Sequence, residues 1–198
     1  HTKYWRDWSS DVCSSDLVVD FEGVHLDREF QIMEVGWCSW DGVKCGCYHY
    51  YPKKNYRDLT VNHLRTVNYV RKHIHGLSYI PRKEIARSSR KVEKDIRELY
   101  DKCKDEYRTY VAYKGGIVEK NFLSQLNIPS INLECLECPI FNDMLRLTTV
   151  ASCGEHDLPL IHHCPKVECY HFVQWLRAYL GLPRDSNYVN YDRVAQFM

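Results

Sequence analysis

The sequence predicts an α/β domain in which helices flank a mixed five-stranded sheet. Three strand-like segments with tight connections come first, and helices then alternate with two further strands. This order is typical of an antiparallel meander that parallel strands extend through helical crossovers. The chain of 198 residues is long enough for one domain with its own core. The hydrophobic share of 44% is ordinary for a globular protein.

The strands are predicted from β-branched or alternating apolar residues that turn residues interrupt. Asp41-Gly42 indicates a hairpin between the second and third strands. The predicted strands are Val18–Gly23, Phe30–Ser39, Lys44–Tyr51, Tyr107–Tyr113 and Ser130–Leu133.

The helices are predicted from apolar residues that recur at spacings of three and four. Gly181 and Pro183 end the last helix. The predicted helices are Leu59–His75, Arg82–Lys104, Ile117–Leu126, Ile140–Leu147 and Val167–Leu180.

Residues 7–17 read DWSSDVCSSDL, which matches the conceptual translation of a common sequencing adapter. We therefore interpret residues 1–17 as an assembly artefact. We expect the domain to run from residue 18 to residue 181 and a polar tail to occupy residues 182–198. Removing the three aspartates of the adapter string raises the formal net charge from +1 to +4. A mildly basic net charge is compatible with a nucleic-acid partner but does not require one.

The composition leads to expectations about membrane association and cellular location. The chain has no run of 18 apolar residues, so no transmembrane helix and no membrane partner are expected. Nine cysteines lie outside the adapter string, beside ten histidines and without a secretory signal. An odd number of cysteines without a secretory signal favours reduced thiols or metal ligands over a framework of disulfides. It also favours an intracellular location, cytoplasmic or nuclear.

Two carboxylates lie at the end of the first strand. Asp20 and Glu22 occupy alternate positions, so their side chains point to the same face of the sheet. Oxygen ligands on one face suit Mg²⁺, and a pair of such ions can clamp the oxygens of a phosphodiester. The alternative is a strand that ends in solvated acids.

His163 and Glu168 lie five residues apart where the last helix opens. With Asp20 and Glu22, they make the sequence resemble 3′→5′ exonucleases of the DEDDh class, which have a ribonuclease H-like fold. The resemblance implies that Asp20, Glu22 and Glu168 hold Mg²⁺ or Mn²⁺ and that His163 is the general base. The middle acid of the class falls at Val118, so the candidate for its role is the next residue, Glu119.

Cys153 and His156 form a Cys-x2-His half-site, and Cys164 follows. A thiolate and an imidazole at this spacing can share one tetrahedral zinc ion. The sequence is similar here to the Maelstrom domain, a ribonuclease H-like domain with a Glu-Cys-His-Cys zinc set. That resemblance, over residues 18–180, implies structural zinc on Glu34, Cys153, His156 and Cys164.

Two alternatives to this zinc set stay open. Cys135 and Cys138 could join Cys153 and His156 in a zinc-ribbon arrangement, since the spacing fits. The thiols could also be buried as small hydrophobic groups without a metal.

These patterns lead to two expectations of function. The first is a metal-dependent nuclease, a 3′→5′ exonuclease acting on single-stranded RNA or DNA, with RNA the favoured partner. The second is a degenerate domain that binds RNA or a protein partner in transposon or small-RNA control without catalysis. The two differ in whether Glu119 can approach Asp20, because a carboxylate set that lacks one member binds metal weakly.

Overall fold

The computed structural model describes residues 17–104, 109–144, 151–156 and 163–183, which form a mixed α/β fold around one sheet. The strands are β1 (Leu17–Leu26), β2 (Glu29–Ser39), β3 (Cys45–Tyr50), β4 (Ala86–Arg87), β5 (Val111–Tyr113) and β6 (Ser130–Asn132). Their order in the sheet is β4-β3-β2-β1-β5-β6.

The first strand is interior to the sheet, as the predicted fold requires. β1 pairs antiparallel with β2, and β2 pairs antiparallel with β3. On the other side β1 pairs parallel with β5, and β5 pairs parallel with β6. An antiparallel meander is thus extended by parallel strands through helices, which confirms the predicted ribonuclease H-like α/β class. The sheet has six strands rather than five because β4 pairs parallel with β3.

The helices are α1 (Val61–Val70), α2 (Val92–Cys103), α3 (Ile117–Gln125), α4 (Phe141–Met144) and α5 (Pro165–Tyr179), and one π-helical turn (Arg71–His75) continues α1. In the described part of the chain, every helix is too short or too polar to cross a lipid bilayer.

The prediction of one helix over residues 82–104 was wrong in its first half. Ala86 and Arg87 form the edge strand β4, and Ser88 then caps a 3₁₀ turn by accepting a hydrogen bond from the backbone N–H of Arg90. Arg87 also forms an ion pair with Asp95 on α2, at 2.9 Å. Pairing with the sheet therefore overrides a local helical pattern, as tertiary context commonly does.

Several predicted features fall on residues outside the described ones. They are residues 1–16 of the segment interpreted as an artefact, the start of the predicted fourth strand, the end of the helix predicted over 140–147 and residues 184–198 of the tail. β1 begins at Leu17, whose side chain is fully buried and which pairs with Val111. The sheet thus includes one residue before the expected boundary at 18.

The two faces of the sheet carry different helices. Odd-numbered apolar residues of β1, such as Val19 and Phe21, pack with α2 and α3. Val18 on the opposite face packs with α5, in a cluster that includes Val167 and Phe172. Because side chains alternate along a strand, Asp20 and Glu22 share the α5 face with Val18.

One glycine allows α5 to rest directly on the sheet. A Cβ atom at Gly36 of β2 would lie 2.2 Å from the backbone carbon of Pro165, the first residue of α5. Only a residue without a side chain permits this approach. The close contact brings the start of α5 against β2 and next to β1.

The structure joins Cys38 and Cys45 in a disulfide, which differs from the expectation of reduced thiols at these two positions. The two residues are direct neighbours across the β2–β3 pair. The other cysteines of the described residues are not in disulfides.

Candidate functional site

Four carboxylates converge beside the middle of β1, which continues to Leu26, three residues beyond its predicted end. Asp20 is buried, and Glu22, Glu119 and Glu168 all act on it electrostatically. Burial first, and the neighbouring carboxylates second, raise the pKa of Asp20 well above its ordinary value. The pKa of Glu22 is raised for the same two reasons. A group of acids that repel each other in a buried place is stabilised by bound cations.

Glu119 reaches the strand of Asp20 although it lies one residue from the expected position. It is buried in the first turn of α3, and its carboxylate accepts a hydrogen bond from the backbone of Phe21, the residue between Asp20 and Glu22. Burial raises the pKa of Glu119 to about 7, with a further increase from Glu134 and Glu168.

The turn before α3 makes this approach possible. Gly115 has a φ of 132°, a backbone conformation that favours glycine, and Gly116 caps the helix. Asn132 of β6 holds the turn by donating a side-chain hydrogen bond to the carbonyl of Gly115, at 3.1 Å. The Lys114-Gly115-Gly116 stretch therefore serves to direct α3 and Glu119 towards β1.

His163 lies against the same acids, just before α5. Its Nδ1 is 3.1 Å from Oε1 of Glu168 and 4.0 Å from Oε1 of Glu22. The hydrogen bond with Glu168 raises the pKa of His163 above its ordinary value. These three residues also lie close enough together to share a metal ion, with donor atoms within 4.8 Å of one another. The structure thus brings together Asp20, Glu22, Glu119, His163 and Glu168.

A second cluster lies on the same face of the sheet. Glu34 pairs with Glu22 across the β1–β2 ladder, and its side chain is fully buried. The donor atoms of Glu34, Cys153, His156 and Cys164 lie within 4.8 Å of one another. Neither carboxylate oxygen of Glu34 has a hydrogen-bond partner. A buried carboxylate in this state is costly unless a cation lies beside it.

The orientation of His156 fits a metal ligand. Its Nδ1 is hydrogen-bonded to the backbone carbonyl of His75, which places the proton on Nδ1. Its Nε2 lies 3.0 Å from Oε2 of Glu34, without hydrogen-bond geometry. Burial alone would lower the pKa of His156, but the neighbouring Cys153, Cys164 and Glu34 raise it, so the ring without a metal is a cation paired with Glu34. A metal ion can take the place of the proton on Nε2, and a backbone bond to the other ring nitrogen is a common arrangement for ligating histidines.

His75 connects the two clusters. It is buried at the end of the π-helical turn, and its Nδ1 accepts a hydrogen bond from the backbone N–H of Leu77. Its Nε2 therefore donates to the carbonyl of Gly23, the residue after Glu22 on β1. Burial lowers the pKa of His75 to about 4, so the ring is neutral near pH 7. In the sequence, His75 lies at the end of a predicted helix, and that position gave no indication that it connects the two clusters.

The zinc-ribbon alternative is not supported by the structure. Cys135 is exposed, whereas Cys138 is buried in the core cluster beneath α5. Neither belongs to any of the potential metal-binding groups among the described residues. The sequence interpretation instead missed Cys47 and His49 on β3, which with Glu34 and Cys153 form a further group of possible ligands.

The chain resembles one solved structure of a viral domain, described as the Mopeia virus exonuclease domain fully depleted of manganese. The two chains share 14% sequence identity with a TM-score of 0.45, over 96% of this chain and 91% of the viral chain. No protein-family model and no curated protein matches the sequence.

Proposed function

We propose that this protein is a metal-dependent nuclease that removes nucleotides from the 3′ end of single-stranded RNA or DNA. The observation that carries the proposal is the convergence of four carboxylates and His163 beside the middle of β1. Structural carboxylates are normally paired with cationic side chains, whereas these raise each other's pKa. The approach of Glu119 to β1 favours this function over the degenerate RNA-binding alternative.

Asp20, Glu22 and Glu168 would hold Mg²⁺ or Mn²⁺, with Glu119 as the fourth carboxylate. When bound, such ions neutralise the charge that develops on a phosphodiester during hydrolysis. Through such ions the carboxylates would position the scissile phosphate relative to His163. The resemblance to DEDDh exonucleases supports these assignments, as does the common location of all five residues.

His163 is suited to take a proton from the attacking water. Its Nδ1–H donates to Glu168, which orients the ring and leaves Nε2 as the nitrogen that accepts the proton. The same hydrogen bond favours the imidazolium that results, because a carboxylate stabilises the charged ring. The raised pKa of His163 makes it a stronger base than a solvent-exposed histidine.

We further propose that Glu34, Cys153, His156 and Cys164 bind one structural zinc ion, as the Maelstrom-like pattern implies. This ion would tie β2 to the segment before α5 and so hold His163 beside β1. Cys164 caps α5 and is adjacent to His163. Loss of the zinc would therefore also disturb the position of the general base.

The nuclease proposal is tested by mutating its acids in the full chain. Asp20→Asn and Glu119→Gln should each reduce the Mg²⁺- or Mn²⁺-dependent release of nucleotides from labelled single-stranded RNA and DNA at least 100-fold. Glu98→Gln is the matched control, because Glu98 lies on α2 and pairs with Lys94. Binding of RNA without cleavage by the unmodified protein would favour the degenerate alternative.

A further inference from the structure

A group of donors adjoins the zinc cluster that neither resemblance accounts for. The ligand atoms of Glu34, Cys47, His49 and Cys153 lie within 4.8 Å of one another. Glu34 and Cys153 also belong to the proposed zinc set, whereas Cys47 and His49 come from β3. We propose that these four residues bind a second divalent soft cation, of the zinc class, which shares Glu34 and Cys153 with the first.

Strand geometry places Cys47 and His49 correctly for this role. His49 pairs directly with Glu34 across the β2–β3 ladder, and residues opposite each other point to the same face. Cys47 lies two residues earlier and therefore also faces that side. Its Sγ is 3.5 Å from Nε2 of His49. Donors of one tetrahedral zinc ion lie at about this separation, given bonds of about 2.0–2.3 Å.

Glu34 supplies an independent reason for two cations. Its side chain is fully buried, and both Oε1 and Oε2 are without a hydrogen-bond partner. The oxygen Oε2 faces His156 of the first set. A carboxylate with a second buried and unpaired oxygen can bridge two ions, one on each oxygen. A single ion on Oε2 would leave the cost of burying Oε1 uncompensated.

The charges of the cluster also balance better with two ions. Coordinated thiols are deprotonated, so Glu34, Cys153 and Cys164 carry three negative charges against the two positive charges of one zinc ion. Adding Cys47 and a second zinc ion gives four charges of each sign, while both histidines stay neutral. A neutral cluster is cheaper to bury than one with a net negative charge.

The second position is accessible from solvent. A cleft of about 390 Å³ is lined by His49, Leu77, Gly154 and Glu155, beside the segment that contains Cys153. A metal site requires such an entry path. Two ions that share one thiolate sulfur, with bonds of about 2.3 Å, can lie no farther apart than about 4.6 Å. The pair would thus be a compact binuclear centre.

The test counts zinc in the folded full chain. The protein is equilibrated with buffered zinc, freed of excess ion, and measured by native mass spectrometry and elemental analysis. We expect two zinc ions per chain, and one in Cys47→Ser and in His49→Gln. Cys135→Ser is the matched control and should retain two, since Cys135 is an exposed thiol outside the potential ligand groups found among the described residues.

One zinc ion in the unmodified chain would overturn the proposal, and so would two ions in both β3 variants. The count is also made on Glu168→Gln, because Glu22, His163 and Glu168 could hold a zinc ion of their own. Two ions in that variant support the proposal, and one ion overturns it, even if a β3 variant does not fold. The proposal depends on the proposed zinc set but not on nuclease activity. A count of one with cleavage of RNA would refute only the second position, whereas a count of two without cleavage would refute only the nuclease.

Discussion

Replacing His156 by alanine tests whether the buried cluster around Glu34 holds the fold together. Nε2 of His156 lies 3.0 Å from Oε2 of Glu34, whose side chain is fully buried. Removing one partner of a buried charged pair costs about 3–5 kcal/mol, because the other charge is left without compensation. Since about 1 kcal/mol corresponds to about 2–4 °C in a domain of this size, the melting temperature should fall by about 6–20 °C. Loss of bound zinc would add to this effect.

The assay is thermal and urea unfolding followed by circular dichroism, with zinc content measured on the same samples. His73→Ala is the matched control, because His73 is exposed on the same π-helical turn as His75. The double variant Glu34→Gln with His156→Ala should regain part of the lost stability, since a neutral amide replaces the uncompensated carboxylate. If His156→Ala unfolds within about 1 kcal/mol of the original protein and keeps its zinc, the reasoning is refuted.

Two further predictions concern the packing of α5. Gly36→Ala should lower the free energy of unfolding by about 1–3 kcal/mol and reduce zinc binding, because its Cβ would meet the backbone of Pro165. Gly116→Ala is the control and should leave zinc binding unchanged, since a Cβ at this position meets nothing within 4 Å. Equal loss of zinc in both variants would contradict this prediction. His171 is fully buried, and burial lowers its pKa to about 4. The unfolded chain therefore takes up this proton first as pH falls, so stability should decrease from about pH 6.5 to pH 4, by up to about 3 kcal/mol. His171→Leu should flatten that part of the curve in urea unfolding, and an unchanged slope would show that His171 does not contribute.

Local periodicity was sufficient to place part of the candidate site. Alternation along a strand predicted that Asp20 and Glu22 share a face, and the resemblance to DEDDh exonucleases singled out His163 and Glu168 where the last helix opens. The approach of Glu119 could not be predicted, because it depends on the direction that the Gly115 turn gives to α3. This contact depends on the tertiary fold. The one-residue offset of Glu119 from the expected position at Val118 does not determine which strand its carboxylate reaches.

The ligands on β3 were missed for a related reason. Cys47 and His49 alternate along a strand, but the sequence does not show which face of the sheet they occupy or what lies opposite. That information comes from the register that pairs His49 with Glu34. The edge strand β4 was missed because the local pattern around Ala86 and Arg87 is helical, and only pairing with β3 makes the segment extended.

The proposed nuclease function requires that the carboxylates beside β1 and His163 act on nucleic acid together with a divalent metal. The most direct measurement is digestion of single-stranded RNA and, separately, of single-stranded DNA, each labelled at its 5′ end, with Mn²⁺, with Mg²⁺ and with a chelator. We expect a ladder of products that shortens stepwise from the 3′ end of at least one of the two substrates with either metal. We expect no products with the chelator or with Asp20→Asn. Products that persist in Asp20→Asn, or RNA and DNA that both stay intact with both metals, would contradict the proposed function.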